Sequence, residues 1–155
     1  FEFRSISNGM LRQSIDAGDP AGASWKVGGA HTPNDAQSRA LRFAWNAVQH
    51  VRSNAIVFAA ELADGTLTTV GIGGGQPNRV DSVRIAVERA GARAHGAVMA
   101  SDAFFPFPDG VQTAIDAGIT AIAHPGGSLR DAESIAVADA AGVPIMLTGV
   151  RHFRH

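Results

Sequence analysis

Short apolar runs alternate with amphipathic stretches along most of the chain, and this pattern predicts the elements of the fold. Runs with the length and composition of buried strands lie at 55–60, 66–72, 97–101, 119–123 and 143–147. Between them, apolar side chains recur every three or four residues, which predicts helices over 33–52, 80–90, 111–117 and 129–141. From residue 97 onward strands and helices alternate, as they do in parallel sheets joined by right-handed crossovers. The pattern predicts an α/β domain with helices on both faces of a mixed, largely parallel sheet, a three-layer αβα sandwich.

Two hairpins are predicted outside this alternation. Residues 3–13 alternate around the pair Asn8-Gly9, which is typical of a tight turn between two short strands. The runs at 55–60 and 66–72 flank the turn sequence Ala63-Asp64-Gly65, so we expect them to pair antiparallel. Residues 14–31 predict a loop with a short strand at 25–27. We therefore divide the chain into an N-terminal hairpin and loop, 1–31, and an α/β core, 32–155.

Two helix starts carry capping signals. Thr32 is expected to cap the first long helix, because Pro33 follows it and an acidic residue lies in the first turn. Ser128 is followed three residues later by Asp131, which fits a capping box at the last helix with Asp in place of the usual Glu. Both signals place a helix start directly after a connecting segment.

Composition adds limits rather than a function. At 155 residues with 45% hydrophobic residues, the chain suits one domain with a proper core. A net charge of −1 gives no electrostatic case for nucleic acid or for an anionic membrane. The absence of cysteine excludes disulfides, and no apolar run approaches the roughly 20 residues of a membrane span. We expect a cytoplasmic protein.

The segment 101–110 departs from a plain strand-to-helix connection. Three phenylalanines and two prolines lie between Asp102 and Asp109, directly after a buried apolar run. Proline removes backbone donors and keeps the preceding residue extended, so the segment is rigid. A rigid aromatic loop after a strand lies where open α/β sheets bind ligands. The alternative is a hydrophobic plug, in which the rings fill the end of the sheet and Asp109 only caps the next helix.

A glycine run at 73–75, followed by Gln76-Pro77-Asn78, connects another strand to a helix. Backbone N–H groups in such a loop can face an anion. The run lacks the Lys-Ser/Thr ending of a nucleotide P-loop and the spacing of a dinucleotide fingerprint. A plain tight turn is the favoured alternative.

Five blocks of sequence resemble one enzyme family. They are SDAFFPF at 101–107, HPGGSLRD at 124–131, TGVRHFRH at 148–155, RSNA at 52–55 and GIGGGQPNR at 71–79. Their order and content are similar to the C-terminal portion of AICAR formyltransferase, the part of a bifunctional enzyme that also carries IMP cyclohydrolase; AICAR is 5-aminoimidazole-4-carboxamide ribonucleotide. The resemblance implies a cytidine-deaminase-like fold and a transferase that moves a formyl group from the cosubstrate 10-formyltetrahydrofolate to AICAR, late in de novo purine (IMP) biosynthesis.

The implied reaction needs more than this chain contains. The amine of AICAR is a poor nucleophile, so the site must remove a proton, orient two ligands and stabilise an oxyanion. In the family, a Lys-His pair in the preceding half of the formyltransferase domain supplies the base. The only lysine here is Lys26, which is followed by valine. The resemblance therefore implies a partner, the upstream half, within the homodimer of the full enzyme; the cyclohydrolase activity would belong to a domain outside this sequence.

The resemblance also assigns residues to ligands. Asn54 is expected to be catalytic, with a hydrogen bond near the transferred formyl oxygen. Substrate contacts are expected from Arg79, Arg151, Phe153 and Phe104, and folate contacts from Gln76, Phe105, Phe107, Asp109 and Ser128. An arginine in the first turn of a helix opposes the helix dipole, which favours a bound anion beside Arg79. Pro108 stands where some relatives carry arginine, so a charge contact is lost there.

Several of these positions could instead have a purely structural role, without any contact to a ligand. Asn54 could satisfy backbone groups at a strand start, and Ser128 could serve only the helix cap. A terminal arginine such as Arg151 is often part of a solvated or frayed tail. His124 is expected to be structural, because nothing pairs it with a nucleophile or a metal.

The sequence also raises a candidate cation site and functions that compete with formyl transfer. The family resemblance implies a structural monovalent cation, potassium, near Ser53, Asp102 and the C-terminus, and no other metal. The alternative function is a non-catalytic folate- or ribonucleotide-binding module or scaffold subunit. A zinc nucleoside deaminase is excluded, because its metal site requires cysteine ligands that this chain lacks.

Overall fold

The computed structural model describes residues 1–154 as a six-stranded mixed sheet, four α-helices and a separate two-stranded hairpin. The strands are β1 (Glu2–Ile6), β2 (Gly9–Gln13), β3 (Lys26–Val27), β4 (Ile56–Glu61), β5 (Leu67–Gly73), β6 (Val98–Ser101), β7 (Ala121–His124) and β8 (Ile145–Leu147). The helices are α1 (Asp35–Val48), α2 (Arg79–Ala90), α3 (Asp109–Asp116) and α4 (Asp131–Ala140). His155, which ends the last matched block, lies outside the described residues. None of the helices within 1–154 combines the length and apolar character needed to cross a bilayer.

The sheet has the order β3-β8-β7-β6-β4-β5, and both predicted hairpins are confirmed. Strands β6, β7 and β8 are parallel, whereas β4 pairs antiparallel with β5 and β6, and β3 pairs antiparallel with β8. The sheet is therefore mixed, as expected, but the prediction of a largely parallel sheet holds only for β6–β8. The short β4–β5 connection explains part of the difference, because a tight turn can join only antiparallel strands.

Helices cover both faces of the sheet, which confirms three layers. Successive residues of a strand point to opposite faces. In β4, Ile56 and Phe58 pack into a core with residues of α2, α3 and α4, whereas Val57 and Ala59 pack with residues of α1. The buried ring of Trp45 lies in the second core, on α1.

Helix α1 starts and ends differently from the prediction. Asn34, not Thr32, is the N-cap: its side chain accepts from Gln37 N at 2.8 Å, and the Gln37 side chain accepts from Asn34 N at 2.9 Å. This reciprocal pair satisfies two donors that would otherwise be orphaned at the helix start. The helix ends at Val48 rather than near residue 52, although Val51 still packs against the α1 core. The apolar spacing therefore continued into a turn that is no longer helical.

Helix α4 begins at Asp131, two residues later than predicted. Asp131 Oδ2 accepts from Gly127 N at 2.6 Å and from Ser128 N at 3.2 Å. Ser128 Oγ accepts from Arg130 N at 3.1 Å, so the predicted Ser128–Asp131 box forms in one direction only. The carboxylate still satisfies the backbone donors of the turn that precedes the helix.

Two glycines allow α2 to lie directly on β5. A Cβ atom at Gly71 would overlap the carbonyl oxygen of Ala86, and one at Gly73 would overlap that of Ser82. Glycine is required where a helix backbone approaches a strand this closely. This close packing fixes the position of Arg79 at the start of α2.

Candidate active site

A cavity of about 320 Å³ lies at the end of the sheet where strand β6 ends and strand β4 begins. We call it the strand-end cavity; its lining residues are Asn54, Pro77, Asn78, Arg79, Ala103, Phe104, Pro106 and Phe153. Because β4 and β6 are antiparallel, Ile56 lies opposite Ser101, and the segments before β4 and after β6 meet at one edge. Ligands of α/β sheets bind beyond the carboxyl ends of the strands, and this cavity occupies that place beside β6.

Arg79 is tied into the wall of this cavity rather than pointing freely into it. Its Nη1 donates to Ser101 Oγ at 2.9 Å and forms an ion pair with Asp102 Oδ1. Its Nη2 donates to Asn54 Oδ1 at 2.8 Å. The Asp102 side chain is fully buried and that of Arg79 is only 6% exposed. The arginine thus cross-links the two segments that border the cavity, and its charge is balanced within the protein.

Asn54 is held in place from two sides. Its Oδ1 accepts from Arg79, and its Nδ2 donates to the carbonyl oxygen of Gln76 at 2.9 Å. Its own carbonyl accepts from Ser82 Oγ at 2.8 Å. The Asn54 side chain thus bonds a backbone group, as the alternative expected, but that group belongs to Gln76, 22 residues away, and not to the local strand start. An asparagine amide has two N–H donors and two acceptor lone pairs, so one of each remains beyond these bonds.

Phe104 and Phe153 meet at the same cavity, and Arg151 reaches it only through its contact with Phe104. The two rings line it, and the guanidinium carbon of Arg151 lies 5.3 Å from the centre of the Phe104 ring, within cation–π range. The C-terminal segment is bound to the domain, because Ser53 N donates to the Arg154 carbonyl at 2.8 Å and Arg154 N donates to Ser53 Oγ at 3.0 Å. The alternative of a frayed tail is wrong up to residue 154.

A second, smaller cavity of about 130 Å³ adjoins the first; we call it the loop cavity. It is lined by Asn78, Arg79, Val80, Phe105, Pro106, Phe107, Asp109 and Gly110. Phe107 is 51% exposed, and the guanidinium carbon of Arg130 lies 4.8 Å from its ring centre. Phe105 is 1% exposed and makes an edge contact with the His124 ring. The plug alternative thus applies to Phe105 alone among the three phenylalanines.

Three further residues assigned to folate differ in their positions. Asp109 is exposed at the first position of α3, where its Oδ1 accepts from Gly110 N at 2.9 Å; Pro108 is the N-cap position, but the Asp109 carboxylate still satisfies a first-turn donor, as the cap alternative expects. Gln76 donates from Nε2 to Gly74 O and lies beside Asn54, outside both cavity linings. Ser128 is half-buried in the turn before α4 and also outside them.

His124 is fully buried at the end of β7. Its Nδ1 accepts from Gly126 N at 3.1 Å, so the proton of the neutral ring resides on Nε2. Burial lowers the pKa of His124 to about 4; nearby Asp131 opposes this shift, and the Arg79 charge adds to it. The geometry agrees with the expected structural role, because the ring stays neutral at neutral pH and packs against Phe105.

The depressed pKa of His124 predicts acid sensitivity. In the unfolded chain the ring gains a proton near pH 6.5, whereas the folded chain resists protonation until about pH 4. Stability should therefore be lost as pH falls between these values, by about 3 kcal/mol in total. Urea unfolding between pH 4 and 7.5 measures this loss, and His124→Gln should flatten the curve whereas His95→Gln, at an exposed position, should not. Equal slopes in both variants would contradict the assignment.

The two positions that the resemblance assigns to a monovalent cation both contact the C-terminal segment. Ser53 contacts Arg154, and the carbonyl of Asp102 accepts from His152 N at 3.0 Å, so both positions meet the C-terminal segment as the resemblance implies. Asp102 Oδ2 is buried without a hydrogen-bond partner, and a carboxylate oxygen of this kind is a suitable cation ligand. Residues 1–154 contain no cluster of His, Asp and Glu that could hold a metal ion on its own.

Sequence reasoning missed several residues of the site. Ser101 and the full role of Asp102 as the partner of Arg79 emerge only from the structure, although both close a buried strand at the binding edge. The strand-end cavity is also lined by Pro77, Asn78 and Pro106. These residues lie in the two loops that the sequence singles out, the glycine loop and the segment 101–110. Position after a strand was the available signal for Ser101 and Asp102.

The comparisons with known proteins agree in pointing to one family. Residues 1–89 match the family described as the AICARFT/IMPCHase bienzyme. The chain is 54% identical to the bifunctional purine biosynthesis protein PurH of Myxococcus xanthus over 98% of its own length, and 54% identical to that of Mycobacterium leprae over 99%. The protein of the same name from Chloroflexus aurantiacus is 53% identical over 100% of the chain. The chain spans only 28–30% of the length of these relatives. Matched over its whole length by these proteins and over residues 1–89 by the family pattern, the chain belongs to the AICARFT/IMPCHase bienzyme family.

Proposed function

We propose that the chain is the ligand-holding C-terminal half of an AICAR formyltransferase domain and acts in purine biosynthesis. The observation that carries this proposal is the strand-end cavity, which gathers Asn54, Arg79, Phe104 and Phe153, four residues that the resemblance assigns to the reaction. The name of the relatives, bifunctional purine biosynthesis protein, supports the pathway. The cytidine-deaminase-like character of the fold, the homodimer and the cytoplasmic location belong to the same proposal.

The reaction requires a tetrahedral intermediate. The AICAR amine attacks the formyl carbon of 10-formyltetrahydrofolate and loses a proton to a base. The intermediate then collapses as the C–N10 bond breaks and N10 takes up the proton that the base received, which releases tetrahydrofolate and leaves formyl-AICAR. Asn54 donates its remaining amide N–H to the oxygen that becomes negative, since its other amide groups are already held by Arg79 and Gln76. Arg79 therefore acts on the reaction by orienting Asn54.

The two cavities divide the ligands. Arg151 and Phe153 bind the phosphate and ring of AICAR at the strand-end cavity, where an arginine fork suits a phosphate. Phe107 and Asp109 contact the pterin of the folate at the loop cavity, whereas Gln76 and Ser128 lie outside its lining and would need to reach the folate from there. A potassium ion held by Ser53 and Asp102 would satisfy the unpartnered Asp102 Oδ2 and fix the C-terminal segment.

The base comes from outside this chain. Lys26 lies on the edge strand β3, paired opposite Leu147, and β8 and β7 separate it from β6. A Lys-His pair from the upstream half of the domain would complete the site. Because Lys26, the only lysine of the sequence, lies away from the site, a second candidate is a module that binds folate or ribonucleotide without turnover.

Mixing experiments test the proposal. We expect no formyl transfer by this chain alone, and transfer when it is mixed with the part of the Myxococcus xanthus relative that lies outside the matched segment. The release of tetrahydrofolate, followed by absorbance, measures the reaction, and that part of the relative alone is the control. Activity of the chain by itself would contradict the split site. Inactive mixtures that still bind AICAR would support the binding module instead.

A further inference from the structure

Among the described residues 149–154 that follow β8 and Thr148, His152 is the one buried side chain. It is 1% exposed, whereas Arg151, Phe153 and Arg154 are exposed. Its ring packs on that of Trp45 in α1, with the two ring centres 4.7 Å apart. The segment thus turns one side chain into the α1 core and leaves its two neighbours exposed, with Phe153 in the lining of the strand-end cavity and Arg151 over the Phe104 ring.

One carboxylate from the loop after β2 holds the His152 ring by a hydrogen bond, and a second lies beside the ring. Nδ1 lies 2.7 Å from Asp16 Oδ2, and since a carboxylate can only accept, Nδ1 carries the proton and donates. Asp19 Oδ1 lies 3.2 Å from Nε2 without a hydrogen bond to it, and the two oxygens of Asp19 accept from Trp45 Nε1 at 3.0 and 3.1 Å. The loop, the helix and the C-terminal segment are therefore joined at one ring.

We propose that His152 is a positioning residue, which holds Arg151 and Phe153 at the strand-end cavity through its contacts with Asp16 and Trp45. This inference rests on the proposed function, in which Arg151 and Phe153 contact AICAR. It gives the loop at 14–25, which touches neither cavity lined by the proposed ligand residues, a part in substrate binding.

The physical reason is the cost of ordering a chain end. A terminal segment without side-chain anchors must lose backbone and rotamer freedom when a ligand binds, and this loss weakens affinity. Here His152 N also donates to the Asp102 carbonyl at 3.0 Å, so the anchor lies within the network that holds Arg79. Arg151 and Phe153 are the sequence neighbours of His152, which is anchored through its backbone and its ring. Their positions are therefore ordered before the ligand binds.

Calorimetric titration of AICAR into the chain, with the upstream part of the relative present, tests the role. His152→Leu should weaken AICAR binding about tenfold or more, and His152→Asn, which keeps a donor near the Nδ1 position, should restore part of it. In the Arg151→Ala background, His152→Leu should cause a much smaller further loss, because the two residues act through one contact. Equal losses in both backgrounds would show a merely structural role and overturn the proposal.

Tryptic cleavage provides a readout that does not depend on the proposed function. His152→Leu and Asp16→Asn should accelerate cleavage after Arg151 about tenfold at an unchanged urea midpoint, with cleavage after exposed Arg130 as the internal reference. If His152→Leu does not fold, Asp16→Asn and His152→Asn carry both measurements. Unchanged cleavage would overturn the anchorage. Normal AICAR binding by the variants would overturn the positioning role alone, whereas a wild-type chain that binds no AICAR would overturn the proposed function and this role with it.

Discussion

Replacing Asp102 with alanine should lower the free energy of unfolding by about 3–5 kcal/mol, because it leaves the buried Arg79 charge without its partner. Both side chains of this pair are removed from water, and in such a place the lost carboxylate cannot be replaced by solvent. Urea unfolding at neutral pH, followed by far-UV circular dichroism, measures the change. Asp102→Asn keeps the shape and should destabilise for the same reason, since the charge is what is lost.

Two controls separate the charge from the volume. The double variant Arg79→Met with Asp102→Leu should recover much of the stability, because apolar groups can replace a buried pair when both charges are removed. Glu61→Gln breaks the exposed pair with Arg39 and should change stability little. A double variant as unstable as Asp102→Ala would show that packing, and not the uncompensated charge, decides the outcome.

Asn54→Ala should reduce kcat for formyl transfer about 10²–10³-fold in the active mixture, the usual effect of losing one oxyanion donor. The AICAR dissociation constant should change much less, because the proposed contact strengthens only as the formyl oxygen becomes negative. Steady-state rates at saturating AICAR and 10-formyltetrahydrofolate measure the effect.

Asn54→Asp is the sharper variant for the same prediction. It keeps the acceptor for Arg79 Nη2 but lacks the donor, so it should be about as inactive as alanine. Gln112→Ala removes an exposed amide from α3 and should leave kcat unchanged. If kcat stays near the wild-type value in Asn54→Asp, the oxyanion role is wrong and Asn54 only joins the two cavity segments.

Local patterns were sufficient for most of the fold. The strands β4 to β8 were found from apolar runs, and the Asn8-Gly9 and Asp64-Gly65 turns located both hairpins. The first cap was assigned to Thr32 because Pro33 suggested a helix start, whereas Asn34 and Gln37 form the reciprocal bonds. The direction of each strand could not be read from its own residues, since it depends on which neighbour it pairs with.

The site was predictable where it depends on strand ends, and not where it depends on distant partners. Phe104 and Asn54 meet because the segments that follow β6 and precede β4 share an edge. The inward direction of Arg79 depends on Asp102, 23 residues away, and nothing local to either residue indicates the ion pair. His152 and Asp16 are 136 residues apart, so no sequence spacing could have connected them.

The close packing of α2 on β5 restricts which substitutions this sequence can accept at positions 71 and 73. Any residue other than glycine at position 71 or 73 would push the helix away from the strand, because its Cβ would meet a helix carbonyl. Displacement of the helix start would carry Arg79 away from Asp102 and Asn54. Gly73, the first glycine of the run considered as an anion-binding loop, therefore acts with Gly71 as a spacer that keeps a charge pair in register, and the two positions tolerate no substitution for as long as that pair is needed.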